Sequence, residues 1–264
     1  MRRATRITVI VVSSILAVLA VAAVVFVVWA SNPLGPAERA MQALDNEHVR
    51  VTDDSWLLFG FPSESGDGPA RSPRVGIVFY PGGLVDHRSY AALAQKLAGE
   101  GYKVAIVPAP LNLMVFASDR ATAVFERFPD VEHWVLAGHS LGAAMATRFA
   151  YQHPELVEAG QLRALVLLAG YPVEDWNLRA FELPVLSIAA GNDTVFDRQA
   201  YVESRDLLPP GTIFETIDGG NHAGFGDYGP QSGDGVATIS PEEQQQQSVE
   251  HIVSFLDRVL PVQP

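Results

Sequence analysis

The stretch Gly138-His139-Ser140-Leu141-Gly142 joins an apolar run at residues 131–137 to an alanine-rich run that begins at residue 143. The first run predicts a buried strand and the second a helix. A Gly-x-Ser-x-Gly pattern between a strand and a helix predicts a sharp turn in which the serine is strained and the glycines allow neighbouring backbone to approach closely. Such a turn would leave the Ser140 hydroxyl open to a reacting partner. An ordinary helix N-cap is the alternative role for this serine.

Short apolar runs alternate with helical patterns along the rest of the chain. We predict strands at 48–52, 56–61, 75–80, 104–107, 131–137, 162–169, 185–190 and 212–217, and helices at 86–97, 117–128, 143–152, 198–207 and 241–260. The first two strands are expected to form an antiparallel pair. Parallel strands need crossover connections, so the later alternation predicts an α/β domain with a doubly wound, mostly parallel sheet and helices on both faces.

An uncharged, mostly apolar run at residues 7–30 follows an amino-terminal segment, residues 1–6, that contains three arginines. As a helix the run would be roughly 36 Å long, enough to cross a hydrocarbon core of ~30 Å. The next charge is Glu38, so the arginines predict a cytoplasmic amino terminus, with Trp29 at the outer interface. We predict a single-pass membrane anchor, a linker at 31–37 and an extracytoplasmic domain at 38–264. The alternative is a cleaved signal sequence and a secreted protein.

The composition narrows the classes of partner and chemistry. A net charge of −12 argues against nucleic acid and anionic lipid head groups as partners. The absence of cysteine excludes disulfides, thiolate catalysis and cysteine-ligated zinc. The glycine-rich loop 219–235 and its flank contain Asp218, Asp227 and Asp234, but their spacing fits neither an EF-hand loop nor an RTX-type repeat that binds calcium. No metal or cofactor is predicted.

An acid and a histidine follow Ser140 in positions that suit nucleophilic catalysis. Asp193 comes just after the strand at 185–190, and His222 just after the strand at 212–217. Both therefore belong to loops at the carboxyl ends of strands, where sites on open α/β sheets gather. Asp197, which suits a helix cap, and Asp218 are the competing acids. The other six histidines precede the motif, lie within it or fall on helices.

The order Ser140, Asp193, His222 is the one used by the α/β-hydrolase superfamily, which residues 49–260 resemble. The resemblance also rests on Tyr80-Pro81-Gly82-Gly83, Gly191-Asn192-Asp193 and Gly219-Gly220-Asn221-His222. More narrowly, the chain resembles small serine hydrolases without a large lid that are related to the dienelactone hydrolases. Dienelactone hydrolases themselves use a cysteine nucleophile, which this chain lacks, so their substrate is not carried over.

The resemblance implies a role for each of these residues. Ser140 would attack an acyl carbon, His222 would accept and return its proton, and Asp193 would orient the imidazole. Backbone N–H groups of Leu141 and of either Gly83 or Leu84 would form the oxyanion hole. His139 is expected to pack beside the turn rather than to serve as a second base, and Asp86 to cap a helix.

The interval 170–184, where lipases commonly carry a lid, has room for one short helix at most. The site is therefore expected to be open and suited to small or medium acyl esters. Trp176 and Phe181 are candidate pocket residues. Phe225 and Tyr228 either line the pocket or hold the glycine-rich loop 219–235 in place by packing. A thioesterase, lactonase, amidase or acyltransferase, or a binding protein without catalysis, remains the alternative to an esterase.

Overall fold

The computed structural model describes residues 2–45, 49–52, 55–60 and 75–260. Among these residues, eight strands form one sheet in the order β1-β2-β4-β3-β5-β6-β7-β8. Their bounds are β1 Arg50–Val51, β2 Leu57–Phe59, β3 Val75–Tyr80, β4 Lys103–Ile106, β5 His133–His139, β6 Leu162–Leu168, β7 Val185–Ala190 and β8 Ile213–Ile217. The outer ends of the first two predicted strands, residues 48 and 61, fall outside the described residues.

The sheet is parallel from β4 to β8 and antiparallel only at its β1–β2 edge. β1 pairs antiparallel with β2, and β2 pairs antiparallel with β4. The other six strands run parallel, so their carboxyl ends meet at one edge of the sheet. Strands β3 and β7 are buried along their whole length, and β5 is buried after its first residue, as expected when helices cover both faces. The predicted doubly wound α/β architecture is confirmed.

Eight α-helices accompany these strands in the described part of the chain. They are α1 Arg2–Ala30, α2 Glu38–Leu44, α3 Ala91–Gly99, α4 Arg120–Arg127, α5 Leu141–Gln152, α6 Pro154–Glu158, α7 Arg198–Ser204 and α8 Pro241–Val259. One hydrophobic core joins α2, α3 and α8 to the sheet, with Leu93, Leu97 and Phe255 among its buried residues. A second core joins α4 and α5 to the opposite face through Phe125 and Phe149.

Several helices differ from their predicted bounds. The predicted helix 86–97 is a 3₁₀ turn, His87–Tyr90, followed by α3, and the predicted helix 117–128 begins only at Arg120. Helix α2 was not predicted: it has no side-chain N-cap, and only Ala40 and Ala43 reach the core, so it lacks both a start signal and an apolar stripe. Helix α6, a single turn after His153, was also missed.

The predicted start of α8 is confirmed in detail. The Ser240 hydroxyl accepts a hydrogen bond from Glu243 N–H at 3.2 Å, and the Glu243 carboxylate accepts one from Ser240 N–H at 2.8 Å. This capping box satisfies backbone donors at both ends of the first turn. A run of four glutamines, residues 244–247, lies on this helix, and Gln244 and Gln245 are buried.

Helix α1 extends the predicted apolar run at its amino end. Its segment Ile10–Ala30 is long and apolar enough to cross a membrane, a property that anchors and signal sequences share. Most of the large apolar side chains from residue 10 onward are exposed, whereas Ala30, at the end of the helix, is buried. The helix therefore meets the rest of the protein at its carboxyl end.

Candidate active site

Ser140 occupies the turn between β5 and α5. Its φ of 53° and ψ of −119° lie in a backbone region that non-glycine residues rarely adopt, so the turn is strained. Although it holds the N-cap position of α5, its side chain makes no capping hydrogen bond, which argues against the ordinary N-cap role. A Cβ atom at Gly142 would overlap the carbonyl oxygens of Tyr80 and Pro81. The predicted close approach at the turn is therefore present.

Asp193 and His222 meet at the carboxyl edge of the sheet, in the loops that follow β7 and β8. The Nδ1 atom of His222 lies 2.7 Å from Oδ2 of Asp193, and the two side chains are 1% and 0% exposed. The other carboxylate oxygen of Asp193 accepts hydrogen bonds from Val195 N–H at 2.8 Å and Phe196 N–H at 3.3 Å. Both oxygens of this buried carboxylate thus have partners, as burial of a charge requires.

The histidine loop reaches the serine turn. The ring centroid of His222 lies 4.5 Å from that of His139, the residue before Ser140. The backbone of this loop is held by Asp234, whose carboxylate accepts hydrogen bonds from His222 N–H at 3.1 Å and Ala223 N–H at 2.8 Å. The structure therefore brings together the regions of all three predicted residues.

The rival carboxylates have other roles. Asp197 accepts hydrogen bonds from Gln199 N–H and Ala200 N–H and so caps α7. Asp86 accepts one from Arg88 N–H at 2.9 Å and caps the 3₁₀ turn, as expected. Asp218 is exposed. Asp193 is thus the acid that contacts His222.

The hydrogen bonds of the loop after β3 distinguish between Gly83 and Leu84, the two residues predicted as the second oxyanion donor. Leu84 N–H donates a hydrogen bond to the carbonyl oxygen of Asn112 at 2.8 Å, and Gly82 N–H donates one to the Tyr90 hydroxyl at 3.0 Å. Neither donor is therefore free for a substrate. Gly83 N–H and Leu141 N–H have no acceptor among the residues that the structure describes, and a Cβ at Gly83 would face the Leu141 side chain. The geometry favours Gly83 over Leu84.

Comparison with known proteins agrees with this geometry. The sequence model of the alpha/beta hydrolase family matches residues 76–246, which include the turn, the acid and the histidine. The chain is a member of this family. A search among curated proteins gave no match.

Solved esterases share the fold at low sequence identity. A carboxylesterase, CesB, from Bacillus subtilis is 12% identical, with a TM-score of 0.54 over 82% of this chain and 96% of that one. Esterase 2 from Thermogutta terrifontis is 15% identical, with a TM-score of 0.56 over 82% and 96%. A ferulic acid esterase from Streptomyces cinnamoneus is 20% identical, with a TM-score of 0.58 over 75% and 71%. Likeness at these identities shows the fold alone.

In this α/β hydrolase, His139 packs beside the turn, as expected, and is wholly buried. The Tyr90 hydroxyl lies 2.9 Å from its Nδ1 atom. Burial first, and the neighbouring His222 second, hold the pKa of His139 well below its usual value, so the ring is neutral. The Tyr90 hydroxyl also accepts from Gly82 N–H, and the direction of its hydrogen bond with Nδ1 is set by the ring tautomer. Nε2 has no partner among the described residues.

The predicted pocket residues fall into two groups. Phe225 and Tyr228 are buried, and their rings lie 5.6 and 6.4 Å from the ring of His139. Trp176 is half-buried under the guanidinium of Arg148, and Phe181 lies 6.4 Å from Tyr151. Arg148 and Tyr151 belong to the second half of α5, so Trp176 and Phe181 lie along that helix and away from Ser140.

The connection between β6 and β7 contains no helix. Residues 170–184 form turns and irregular structure, so the predicted absence of a large lid at this position holds.

Three residues that support the site were not predicted from the sequence. Tyr90 binds both His139 and the loop after β3, residues 81–85, which we call the oxyanion loop after the donor predicted in it. Asn112 holds Leu84, and Asp234 holds the backbone of His222. A lone Tyr, Asn or Asp carries no spacing signal, because each partner is distant along the chain. Of the three, the sequence marks only Asp234, as one of the carboxylates of the glycine-rich loop.

Proposed function

We propose that this α/β hydrolase is a serine hydrolase that cleaves carboxylic esters of small or medium acyl groups through an acyl-enzyme on Ser140. The observation that carries the proposal is the buried hydrogen bond between Asp193 and His222 beside a strained, uncapped serine. A pairing of this kind fixes the tautomer of the imidazole and supports the positive charge that it acquires. The names of structural neighbours, a carboxylesterase and a ferulic acid esterase, point to the same bond type.

The proposed reaction proceeds in two halves. The Ser140 hydroxyl oxygen bonds to the ester carbon while its proton passes to Nε2 of His222, and the proton then passes to the departing alcohol as the C–O bond breaks. Water next attacks the acyl-enzyme with the same residue as base, releasing the acid and restoring Ser140. Throughout, N–H groups of Gly83 and Leu141 stabilise the negative charge on the carbonyl oxygen.

Substrate size and location form the second part of the proposal. The short connection 170–184 supports an open site, which suits small and medium acyl groups. Helix α1 supports attachment to the cell membrane as a single-pass anchor with the domain extracytoplasmic, and the alternative remains a signal sequence that is cut off. Mass analysis of the amino terminus of the protein purified from membranes separates the two.

A fluorophosphonate probe tests the chemistry, because it bonds only to an activated serine. Labelling of the wild type that disappears in Ser140→Ala supports the proposal, with Ser89→Ala, a buried serine on the 3₁₀ turn, as the matched control that keeps its label. A folded wild type that takes no label would contradict an activated serine and support a binding protein. p-Nitrophenyl esters and thioesters of increasing chain length then separate esterase from thioesterase and define the acyl preference.

A further inference from the structure

The segment between α1 and α2, residues 31–37, is bound to the domain and does not act as a loose tether. Leu34 N–H donates a hydrogen bond to the carbonyl oxygen of Leu84 at 2.8 Å, and Asp86 N–H donates one to the carbonyl oxygen of Leu34 at 2.9 Å. Ala37 N–H donates to the carbonyl oxygen of Asp227 at 2.6 Å. These backbone bonds fix the end of α1 relative to the sheet. We call residues 31–37 the strap.

The strap is bound to the oxyanion loop itself. Leu34 pairs with Leu84 and Val85, which directly follow Gly83. Asn112 adds a second link: its side-chain amide donates to the carbonyl oxygen of Ala30 at 3.0 Å, while its own carbonyl oxygen accepts from Leu84 N–H. One residue thus joins the last residue of α1 to the loop that carries the proposed oxyanion donor.

The segment that contains Asn112 presents apolar side chains. Leu111 and Asn112 both have positive φ, 55° and 54°, a strained arrangement that turns the chain sharply beside Ala30. After this turn, Val115 and Phe116 are 42% and 55% exposed. Phe116 ends the short 3₁₀ turn Met114–Phe116, which only Leu113 separates from Asn112.

Single exposed apolar side chains are common on protein surfaces. Val115 and Phe116 differ from these because they lie close to the end of α1. Trp29, whose side chain is 56% exposed, lies next to the last residue of α1, the helix that is apolar enough to cross a membrane. The side chain of Asn112 binds that last residue, Ala30. If α1 spans a bilayer, the segment from Asn112 to Phe116 lies at the head-group level, which extends ~5–8 Å beyond each side of the hydrocarbon core. Apolar side chains at this depth gain free energy by entering the bilayer surface.

The charges near the strap are compatible with that position. The guanidinium of Arg39 lies 2.6 Å from the carboxylate of Asp227, and that of Arg88 lies 2.6 Å from the carboxylate of Asp86. In each pair the two charges neutralise one another, so neither pair favours the binding of an anionic lipid head group. The net charge of −12 opposes one as well.

We propose that the active site of this hydrolase opens onto the outer surface of the membrane that α1 crosses, with Val115 and Phe116 inserted there. Its substrates are uncharged amphiphilic esters of medium chain length that partition into this leaflet, where the ester group lies at the level of the oxyanion loop. The substrate class rests on the proposed ester hydrolysis. The membrane contact rests on the strap, Asn112 and the exposed apolar pair.

Fluorescent labels test the membrane contact independently of any activity. The chain has no cysteine, so a single introduced cysteine carries the only thiol label. Phe116→Cys is compared with Ala159→Cys, an exposed residue just after α6 at the opposite, amino-terminal edge of the parallel strands. The full-length protein is placed in phosphatidylcholine vesicles that contain lipids with nitroxide-labelled chains.

We expect the fluorescence of the label at 116 to be quenched at least twofold more strongly than that of the label at 159, and its emission to shift to the blue. Equal quenching of the labels at 116 and 159 overturns the membrane contact. So does the finding that the protein is cleaved after Ala30, as a signal sequence would be, and released from the membrane.

Activity tests the substrate class. In Phe116→Asp we expect the ratio of the rates on p-nitrophenyl decanoate in vesicles and on soluble p-nitrophenyl acetate to fall at least tenfold. The ratio should not change in Val202→Asp, an exposed apolar residue on α7. An unchanged ratio in Phe116→Asp overturns the proposed substrate class. If the wild type cleaves neither ester, ester hydrolysis itself is overturned, while the labels still decide whether the site faces the membrane.

Discussion

The hydroxyl of Tyr90 lies 2.9 Å from Nδ1 of His139 and accepts the N–H of Gly82 at 3.0 Å. His139 precedes Ser140, and Gly82 precedes the proposed oxyanion donor Gly83. A single buried hydroxyl therefore connects the serine turn to the oxyanion loop. Because the group is wholly buried, breaking either bond would leave a polar atom without water or protein partners, which is costly.

Replacement of Tyr90 by phenylalanine should lower both stability and activity. Loss of the hydroxyl leaves Gly82 N–H and His139 Nδ1 unpaired, at a cost of about 1–3 kcal/mol in the free energy of unfolding for each group. We expect kcat for p-nitrophenyl acetate to fall about tenfold with little change in KM, because the shifted loop stabilises the transition state more weakly, as when an oxyanion donor is disturbed.

Tyr201→Phe is the matched control. It also removes a buried hydroxyl, which contacts the Ser187 hydroxyl at 3.0 Å, but it lies between β7 and α7. The free energy of unfolding should fall by about 1–3 kcal/mol, for the single partner left unpaired, while kcat is retained. Equal effects of the two substitutions on kcat would show that Tyr90 acts through stability alone.

The two neighbouring acids in the loop after β7 should respond very differently to amidation. In Asp193→Asn the buried acceptor for His222 Nδ1–H loses its charge, and the amide can present a donor instead, which favours the wrong tautomer. We expect kcat to fall roughly 10³–10⁴-fold. Asp197→Asn should change kcat less than twofold, because asparagine caps a helix about as well as aspartate. Initial rates with p-nitrophenyl acetate decide the point, and comparable losses in both variants would remove Asp193 from its proposed role.

The alternation of strands and helices could be predicted because each parallel strand is an apolar run that both faces of the sheet bury. The strands Val75–Tyr80 and Val185–Ala190 end where the sequence indicates. Their carboxyl ends then fix where Asp193 lies. The helix Glu38–Leu44 could not be predicted, because two alanines bury too little surface to produce a visible periodicity.

The supporting groups of the site could not be predicted for a different reason. Tyr90, Asn112 and Asp234 act through single contacts with residues that are distant along the chain or on other loops, and such contacts leave no repeat in the sequence. The Pro and Gly content of the strap predicts a linker and carries no signal for its hydrogen bonds to the domain. Its backbone pairing with Leu84 depends on the fold as a whole.

Stability should fall as the pH drops below about 6.5. In the unfolded chain a histidine binds a proton below that pH, whereas folded His139 has a pKa held well below it by burial. Unfolding then takes up a proton, so the free energy of unfolding decreases by at most ~1.4 kcal/mol per pH unit for this group. The ionisable groups that face it are His222, Tyr90 and Tyr228, and burial raises the pKa of both tyrosines, which stay neutral.

Urea denaturation of the full-length protein in detergent at pH 7.5, 6.5 and 5.5 measures this slope. His139→Gln cannot titrate and should show a shallower slope than the wild type, whatever its absolute stability. Part of the slope should remain, because burial also lowers the pKa of His87. Thr147→Val, at a buried residue of α5 that does not titrate, serves as the control and should keep the wild-type slope. An unchanged slope in His139→Gln would contradict a depressed pKa.

Gly142 should tolerate no side chain, because α5 begins too close to β3. A Cβ there would overlap the carbonyl oxygens of Tyr80 and Pro81, which are backbone atoms at the start of the oxyanion loop and cannot rotate away. Gly142→Ala should therefore displace the turn from the loop, lower the free energy of unfolding by about 1–3 kcal/mol or more, and abolish fluorophosphonate labelling of Ser140. Gly99→Ala, where a Cβ meets nothing within 4 Å at the end of α3, should be neutral or stabilising by up to ~1 kcal/mol and should label normally. Normal labelling of Gly142→Ala would mean that the contact between turn and loop is dispensable for the reactivity of the serine.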